Sequence, residues 1–178
     1  MEKRYHHGDL HAALLDVGLR LLAERAVEGV SLREMAREVG VSATSVYRHF
    51  PDKAALMRAL ACEGLDRLAV AQRDAADGKE GVASFAATGQ AYVRFALANP
   101  ALFRLIFTSS AQLQAAGEIE ALTMLYANAA AGLPSGADSD DAKTSALRSW
   151  SLVHGLAMLM LDGQLPADDH LIETLIAG

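Results

Sequence analysis

The sequence has almost none of the cysteine from which small folds build cross-links and metal sites. Cys62 is the only cysteine in 178 residues, which excludes an intramolecular disulfide framework. No spacing of cysteine and histidine resembles a structural zinc site, so we predict neither a metal nor a cofactor. A chain with a single cysteine fits the reducing conditions of the cytoplasm.

Long hydrophobic runs are also absent. The first nine residues are largely polar and contain no apolar stretch of the kind that a signal peptide needs. The longest apolar stretch, around residues 156–161, is far shorter than the roughly 20 residues of a membrane span. We therefore expect a buried helix there, no membrane partner and a cytoplasmic location.

The alternation of apolar and polar residues that marks half-buried strands is missing over any useful length. Apolar residues instead recur three or four positions apart nearly throughout, as at Leu10, Leu14, Val17 and Leu21. Hydrophobic residues make up 52% of the chain, which excludes disorder and suffices for a core. The pattern predicts an all-α fold of about nine helices.

Small polar residues and glycines indicate where the first helices begin and end. Ser31 and Glu34 have the spacing of a capping box, in which each side chain accepts from the other residue's backbone N–H. Ser42 and Asp52 are placed to cap two further helices, and Gly40 is placed to end one.

Further breaks divide the second half of the chain, which we predict to hold five helices. The breaks lie at Asp77-Gly78, at Asn99-Pro100 and in a loop over residues 132–136. The helices predicted after the second break are a short one ending near Phe107 and longer ones over about Gln112–Ala131, 138–162 and 168–176.

Two of the short N-terminal helices are joined by a turn typical of helix-turn-helix motifs. The link over residues 39–42 contains a glycine and has the length found in that motif. The second helix of such a pair enters the major groove of DNA, so its outward face needs small, polar or basic residues. The residues available here are Ala43, Thr44, Ser45, Tyr47, Arg48 and His49, followed by Lys53. An αα-hairpin with a polar surface and no ligand is the alternative interpretation.

The charge of the whole chain argues against a nucleic-acid partner, because the net charge is −6 and the pI is 5.4. The distribution of charge changes that conclusion. Residues 1–58 hold nine Lys and Arg against eight Asp and Glu, whereas residues 59–178 hold seven against fourteen. The acidity is C-terminal, and the N-terminal segment keeps a modest positive charge for phosphate contact.

Two stretches of the N-terminal segment have the sequences VSLREMAREVGVS at residues 30–42 and VYRHFPDKAAL at residues 46–56. They resemble the DNA-binding domain of TetR-family transcriptional regulators. The opening YHHGDL at residues 5–10 and the pattern Trp150-x-x-x-His154-Gly155 are similar to one subgroup of that family.

The resemblance implies an all-α homodimer, with a three-helix DNA-binding domain over residues 1–52 and a helical ligand-binding and dimerisation domain over residues 53–178. It implies a regulator, usually a repressor, that releases a near-palindromic operator when a small-molecule effector binds. The family pattern assigns base reading to Arg33, Ala43, Thr44 and Ser45, and phosphate contact to Ser31, Ser42, Tyr47, His49 and Lys53. Two roles stay open: Thr44 reads a base or acts as a spacer, and Arg48 contacts base or phosphate.

Aromatic and soft apolar residues are candidates for an effector pocket, which needs apolar walls and a few polar groups. The candidates are Tyr92, Phe95, Phe103, Phe107, Met124, Trp150, His154 and Met158. Tyr92 and His154 are the polar groups among them. Each residue taken alone fits an ordinary core, and the pocket is implied only by the family resemblance.

The last two helices have apolar stripes that the resemblance assigns to a four-helix dimer interface. The stripes consist of Leu147, Trp150, Val153, Ala157, Leu161, Leu171, Leu175 and Ile176. Core packing within one chain is the alternative for these residues.

Two other classes of protein compete with a DNA-binding regulator. A small helical enzyme is disfavoured because the sequence has no Gly-x-Ser-x-Gly elbow, glycine-rich phosphate loop or His-Glu-x-x-His motif. A helical interaction module that does not bind DNA has no need of the cluster formed by Tyr47, His49 and Lys53.

Overall fold

The computed structural model describes residues 10–115 and 139–177, which form eight helices. The helices are α1 (Leu10–Arg25), α2 (Leu32–Val39), α3 (Ala43–His49), α4 (Lys53–Ala76), α5 (Gly81–Ala98), α6 (Pro100–Ala115), α7 (Ser139–Leu161) and α8 (Asp169–Ile176). These ranges contain no strand, and the all-α prediction is confirmed. None of the described helices is long and apolar enough to cross a membrane.

Most of the predicted helix boundaries are confirmed, because they depend on local chemistry. Gly40 ends α2 with a left-handed φ of 78°, which other residues adopt only at a cost. The Ser42 hydroxyl caps α3 by accepting from the backbone N–H of Ser45 at 3.1 Å. The Asp52 carboxylate caps α4 by accepting from the backbone N–H of Ala55 at 2.7 Å.

The predicted capping box at the start of α2 is wrong. Ser31 is the residue before the helix, but its hydroxyl makes no capping hydrogen bond. The Glu34 carboxylate instead accepts from Nη1 of Arg25 at 2.9 and 3.1 Å. A charge-assisted bond to arginine is stronger than a bond to a neutral backbone N–H, so Glu34 joins α2 to the end of α1.

The short helix predicted to end near Phe107 is also wrong. Helix α6 continues unbroken from Pro100 to Ala115, so Gln112 lies inside a helix and does not begin one. No glycine or proline lies between Phe107 and Gln112, and the Thr108 hydroxyl donates to the Arg104 carbonyl at 2.8 Å without interrupting the helix. The remainder of the helix predicted to reach Ala131, the loop at 132–136 and Met124 lie outside the described residues.

Helix α4 packs against helices on both sides of the predicted domain boundary. One hydrophobic cluster extends from α1 through α4 to α8. Glycines allow the closest approaches: a Cβ on Gly18 of α1 would lie 3.0 Å from the Leu60 side chain, and a Cβ on Gly64 of α4 would lie 2.8 Å from that of Leu102. The N-terminal helices therefore share a core with α5, α6, α7 and α8 through α4.

Helix α8 is held on α5 by charge and by close packing. Arg94 of α5 donates to Asp169 at 2.8 Å and to Glu173 at 3.0 Å. Ile172 is buried on the inner face of α8, and a Cβ on Gly89 of α5 would lie 2.9 Å from the Ile176 side chain. Residues of α5 thus fix the position of the last helix.

The apolar stripe predicted as a dimer interface lies mostly in the core of the chain. Val153 and Ala157 are buried, and Trp150, Leu161, Leu171 and Ile176 are half-buried against the same hydrophobic cluster. From that stripe, only Leu147 and Leu175 are exposed. The sequence prediction missed Leu152 and Leu159 of α7, which are 48% and 45% exposed.

Candidate nucleic-acid interface and aromatic cluster

Helix α3 presents most of the predicted DNA-contacting residues to solvent. Val46 and Phe50 are buried and fix the inner face of the helix, as predicted. Its exposed residues are Ala43, Thr44, Tyr47, Arg48 and His49, and Ser45 is half-buried. The helix contains no acidic residue.

Ser42 and Ser45 are occupied by the capping of α3. Besides the bond from the Ser45 backbone N–H, their two hydroxyl oxygens lie 2.8 Å apart. The Ser42 side chain is exposed, and the cap leaves it room to contact a phosphate. Ser45 is committed to the start of its own helix and has fewer free hydrogen-bonding positions for a base.

Arg33, Arg48 and Lys53 supply positive charge around α3. Arg33 and Arg48 are exposed, and among the described residues neither lies within ion-pair distance of a carboxylate. The Lys53 ammonium donates to the backbone carbonyl of Glu28 at 3.2 Å, which holds it between α4 and the connection that follows α1. Ser31 is exposed at the start of α2, and its hydroxyl is not used as a cap.

Acidic residues on α1 and α2 are neutralised by arginines in pairs that sequence reasoning missed. Arg20 of α1 pairs with Glu24 one turn on and with Glu38 of α2. The Arg25–Glu34 pair described above joins the same two helices. Exposed pairs of this kind add little stability, but they cancel carboxylates that would otherwise repel phosphate.

His49 lies in a small group of rings at the contact of α3 with α1. Its ring centroid is 5.9 Å from that of His11 and 6.5 Å from that of buried Phe50. His11 belongs to α1, and His6 and His7 lie outside the described residues. Within residues 10–115 and 139–177, no three potential metal ligands are grouped closely enough to hold an ion.

The predicted pocket residues Tyr92, Phe103, Phe107, Trp150 and His154 are brought together from α5, α6 and α7. Neighbouring ring centroids in this aromatic cluster lie between 4.6 and 6.5 Å apart. Tyr92 and Phe103 are buried, and the other three side chains are half-buried. Phe95 is buried and Met158 is half-buried in the surrounding core, while Met124 lies outside the described residues.

A chain of hydrogen bonds orders the polar atoms of the aromatic cluster. The Trp150 indole N–H donates to the Tyr92 hydroxyl at 3.4 Å, and the Tyr92 oxygen lies 2.9 Å from Nδ1 of His154. Because the indole N–H can only donate, the Tyr92 oxygen accepts from it. We therefore assign the Tyr92 O–H as the donor to Nδ1 of a neutral His154 imidazole. The proton of that imidazole is then on Nε2. Burial raises the pKa of Tyr92 and lowers that of His154, so it favours the neutral form of both groups.

Acidification is expected to destabilise the protein through His154. Burial lowers the pKa of its folded form below the ordinary 6.5, so the unfolded chain binds a proton at a pH where the folded chain does not. The part of the unfolding free energy that depends on neutral His154 is fully present above about pH 6.5 and is lost as the pH falls below that value. Urea denaturation from about pH 8 to about pH 5 measures the slope, and His154→Gln is expected to flatten it. His170→Gln, at an exposed position on α8, is the control, and equal slopes for all three proteins would contradict the prediction.

Two family descriptions match the chain, one over its first helices and the start of α4 and the other from α5 onward. The family described as "Bacterial regulatory proteins, tetR family" matches residues 14–60. The family described as "Tetracyclin repressor-like, C-terminal domain" matches residues 85–177, which is more than half of the chain. The first match includes all of α2 and α3, and the second contains the described aromatic cluster.

Individual proteins are similar to the chain to different extents. A solved structure of a protein with unknown function from Rhodococcus sp. RHA1 is 32% identical, with 99% of this chain and 95% of that chain covered and a TM-score of 0.80. The uncharacterized HTH-type transcriptional regulator YobS of Bacillus subtilis is 28% identical over 90 residues, 51% of this chain and 47% of that protein. Tetracycline repressor protein class D of Escherichia coli is 36% identical over 55 residues, 31% of this chain and 25% of that repressor. The chain thus matches less than half the length of these two curated relatives.

Proposed function

The chain belongs to the TetR family of bacterial transcriptional regulators, and from this premise we propose that it binds a specific DNA operator through α2 and α3. The family is one of regulators and not of enzymes. The observation that carries the proposal is the exposed, acid-free surface of α3. Arg48 on this helix and Arg33 on α2 add positive charge that no described carboxylate neutralises. Such a surface attracts the phosphate backbone and still leaves short side chains to approach the bases.

The roles of individual residues follow from their position on the two helices. Thr44 and Ala43 begin α3, where short side chains allow the helix to enter the major groove deeply. Arg33 on α2 has a guanidinium that pairs with none of the described carboxylates and suits bidentate contact with guanine. Tyr47, Arg48 and His49 on α3, with Ser31, Ser42 and Lys53 beside it, supply phosphate contacts, and half-buried Ser45 supports the cap.

We further propose that the protein is a repressor released by a small-molecule effector that binds at the aromatic cluster. The cluster offers apolar ring faces together with a neutral imidazole and a phenol, the composition expected of a site for an uncharged organic molecule. Helix α4 packs against both α1 and α6, so a change in its angle alters the position of α3. An effector that binds one of these arrangements more tightly shifts the population toward it.

A mobility-shift titration tests DNA binding. The full chain is titrated into duplexes from the region flanking its own gene, with a salt series between about 50 and 200 mM. We expect one sequence-specific complex whose affinity falls steeply with salt, and we expect Tyr47→Ala to weaken it about tenfold at every operator sequence. Arg33→Ala is expected to relax the preference at one base pair instead, by about 1–3 kcal/mol. Absence of any specific complex, or unchanged affinity in both variants, would overturn the proposed function.

We also propose a homodimer through the exposed face of α7, with help from α8. Leu152 and Leu159 lie two turns apart on that face, and Gly155 lies between them with open space where a Cβ would be. A glycine flanked by leucines permits close approach of the same helix from a second copy. Twofold symmetry would then place two α3 helices on one side of the DNA and favour a near-palindromic operator.

Replacing Gly155 with leucine is expected to weaken the dimer without harming the folded chain. A Cβ at this position has no atom of the described residues within 4 Å, and leucine favours helix by about 1 kcal/mol over glycine. Light scattering after size exclusion is expected to show a shift toward monomer. The dissociation constant of the dimer is expected to rise about tenfold or more. Ala83→Leu, at an exposed position on α5, is the control for added apolar surface. A Gly155→Leu protein that dimerises as tightly as the wild type would place the interface elsewhere.

A further inference from the structure

A crevice of about 440 Å³ lies where α1, α4 and the corner between α5 and α6 meet. Small-molecule sites in proteins generally fall between about 300 and 1,000 Å³, so this crevice is large enough for one. It is separate from the aromatic cluster, because no residue of that cluster lines it. No role in the proposed DNA contact or effector response requires it to be open.

The lining combines apolar walls with a charged mouth. The apolar residues are Leu19 and Ala23 of α1, with Ala98, Pro100, Ala101 and Leu102 of the corner. The charged residues are Asp16 and Arg20 of α1 and Arg67 of α4. Two guanidiniums and one carboxylate line the crevice, and Glu24, Glu38 and Glu63 pair with the guanidiniums from outside the lining.

Arg67 has donors to spare at this mouth. Its Nε donates to Glu63 at 2.7 Å, and its Nη2 forms an ion pair with the Asp16 carboxylate at 3.6 Å, which is longer than a hydrogen bond. About half of the side chain is exposed. Arg20, in contrast, is bonded to both Glu24 and Glu38. Arg67 is therefore the group best placed to receive a carboxylate in the bidentate manner that arginine favours.

We propose that this crevice binds a small organic monocarboxylate with a flat apolar body. The body lies between Leu19 and Leu102, and the carboxylate pairs with the two Nη groups of Arg67. The ligand contacts α1 on one side and α4 and α6 on the other. Its affinity consequently depends on how these helices are arranged, which makes the crevice a second regulatory site at a different place from the aromatic cluster.

Titration of the full chain with 2-naphthoate tests the proposal, with neutral 2-naphthamide as the matched ligand control. Calorimetry is expected to show saturable binding of the carboxylate, at least about tenfold tighter than the amide, because the ionic bond is the larger contribution. Arg67→Gln is expected to weaken binding of 2-naphthoate about tenfold. Ala23→Leu, which fills the crevice and leaves its charges in place, is expected to weaken it as well. Arg73→Gln, the same change further along α4, is expected to have no effect.

The proposal is overturned if 2-naphthoate shows no saturable binding, or if binding survives both Arg67→Gln and Ala23→Leu. It is also overturned if His154→Gln abolishes binding while both crevice variants retain it, because the ligand then occupies the aromatic cluster. These outcomes are measured without DNA. Failure here therefore leaves the operator titration untouched, and failure of the operator titration leaves this site standing.

Discussion

Replacing Thr44 with glutamate is expected to lower affinity for the operator by about a hundredfold, equivalent to roughly 3 kcal/mol. Thr44 is exposed in the first turn of α3, where the proposed complex brings the helix into the major groove. A carboxylate there is repelled by the phosphates of both strands and, unlike a basic side chain, releases no counterions on association. The same charge complements the positive end of the helix dipole, so α3 itself is not weakened.

Fluorescence anisotropy with a labelled operator measures this loss, and thermal unfolding checks that the variant is folded. Ala83→Glu makes the same change of charge at an exposed position in the first turn of α5 and is expected to bind like the wild type. Thr44→Gly separates the two roles left open for this residue, because a spacer tolerates glycine and a base reader does not. Wild-type affinity in Thr44→Glu would mean that α3 does not enter the groove.

Replacing Phe103 with alanine is expected to cost about 3–5 kcal/mol of unfolding free energy, the largest stability effect that we predict. Phe103 is fully buried, with its ring centroid 4.8 Å from that of Phe107, 5.4 Å from that of Tyr92 and 5.6 Å from that of His154. Removing the ring leaves a cavity among aromatic groups, which cannot close over it as flexible aliphatic chains do.

Urea denaturation of Phe103→Ala gives this cost, and Phe103→Leu is the graded control with a loss of about 1–2 kcal/mol. Tyr92→Phe is informative beside them, because it keeps the ring but leaves Nδ1 of His154 without its donor. We expect Tyr92→Phe to lower the free energy of unfolding by about 1–2 kcal/mol. A Phe103→Ala protein within about 1 kcal/mol of the wild type would show that this cluster does not hold α5, α6 and α7 together.

Features that depend on neighbouring residues in sequence were predictable, and those that depend on distant partners were not. Gly40, Ser42 and Asp52 delimit helices through their own backbone and side-chain chemistry, so their roles are confirmed. Glu34 satisfies the same local rule, yet it bonds Arg25, whose position is decided by the packing of α1 on α2. Local spacing contains no information about such a competitor.

The candidate sites also combine features that neighbouring residues predict with features that depend on the tertiary fold. The outward face of α3 follows from the helical period once Val46 and Phe50 are recognised as core residues, and the family prediction is confirmed by both family matches. The Tyr92–His154 bond joins residues on α5 and α7, and their meeting requires the tertiary fold. Periodicity likewise defines an apolar stripe on α7 but leaves open whether each residue packs in the core or against a second copy, and the structure places Val153 in the core.

The two glycine contacts of α4 also determine how the protein unfolds. Gly18 and Gly64 bring α1 and α6 so close to this helix that the hydrophobic cluster has no boundary at which one part could melt first. Heating is expected to give a single calorimetric transition, with the slowest amide hydrogen exchange along α4. A molecule that tightens either end of α4 is then expected to slow exchange in α3, so exchange rates in the helix proposed to contact DNA would report binding elsewhere in the protein.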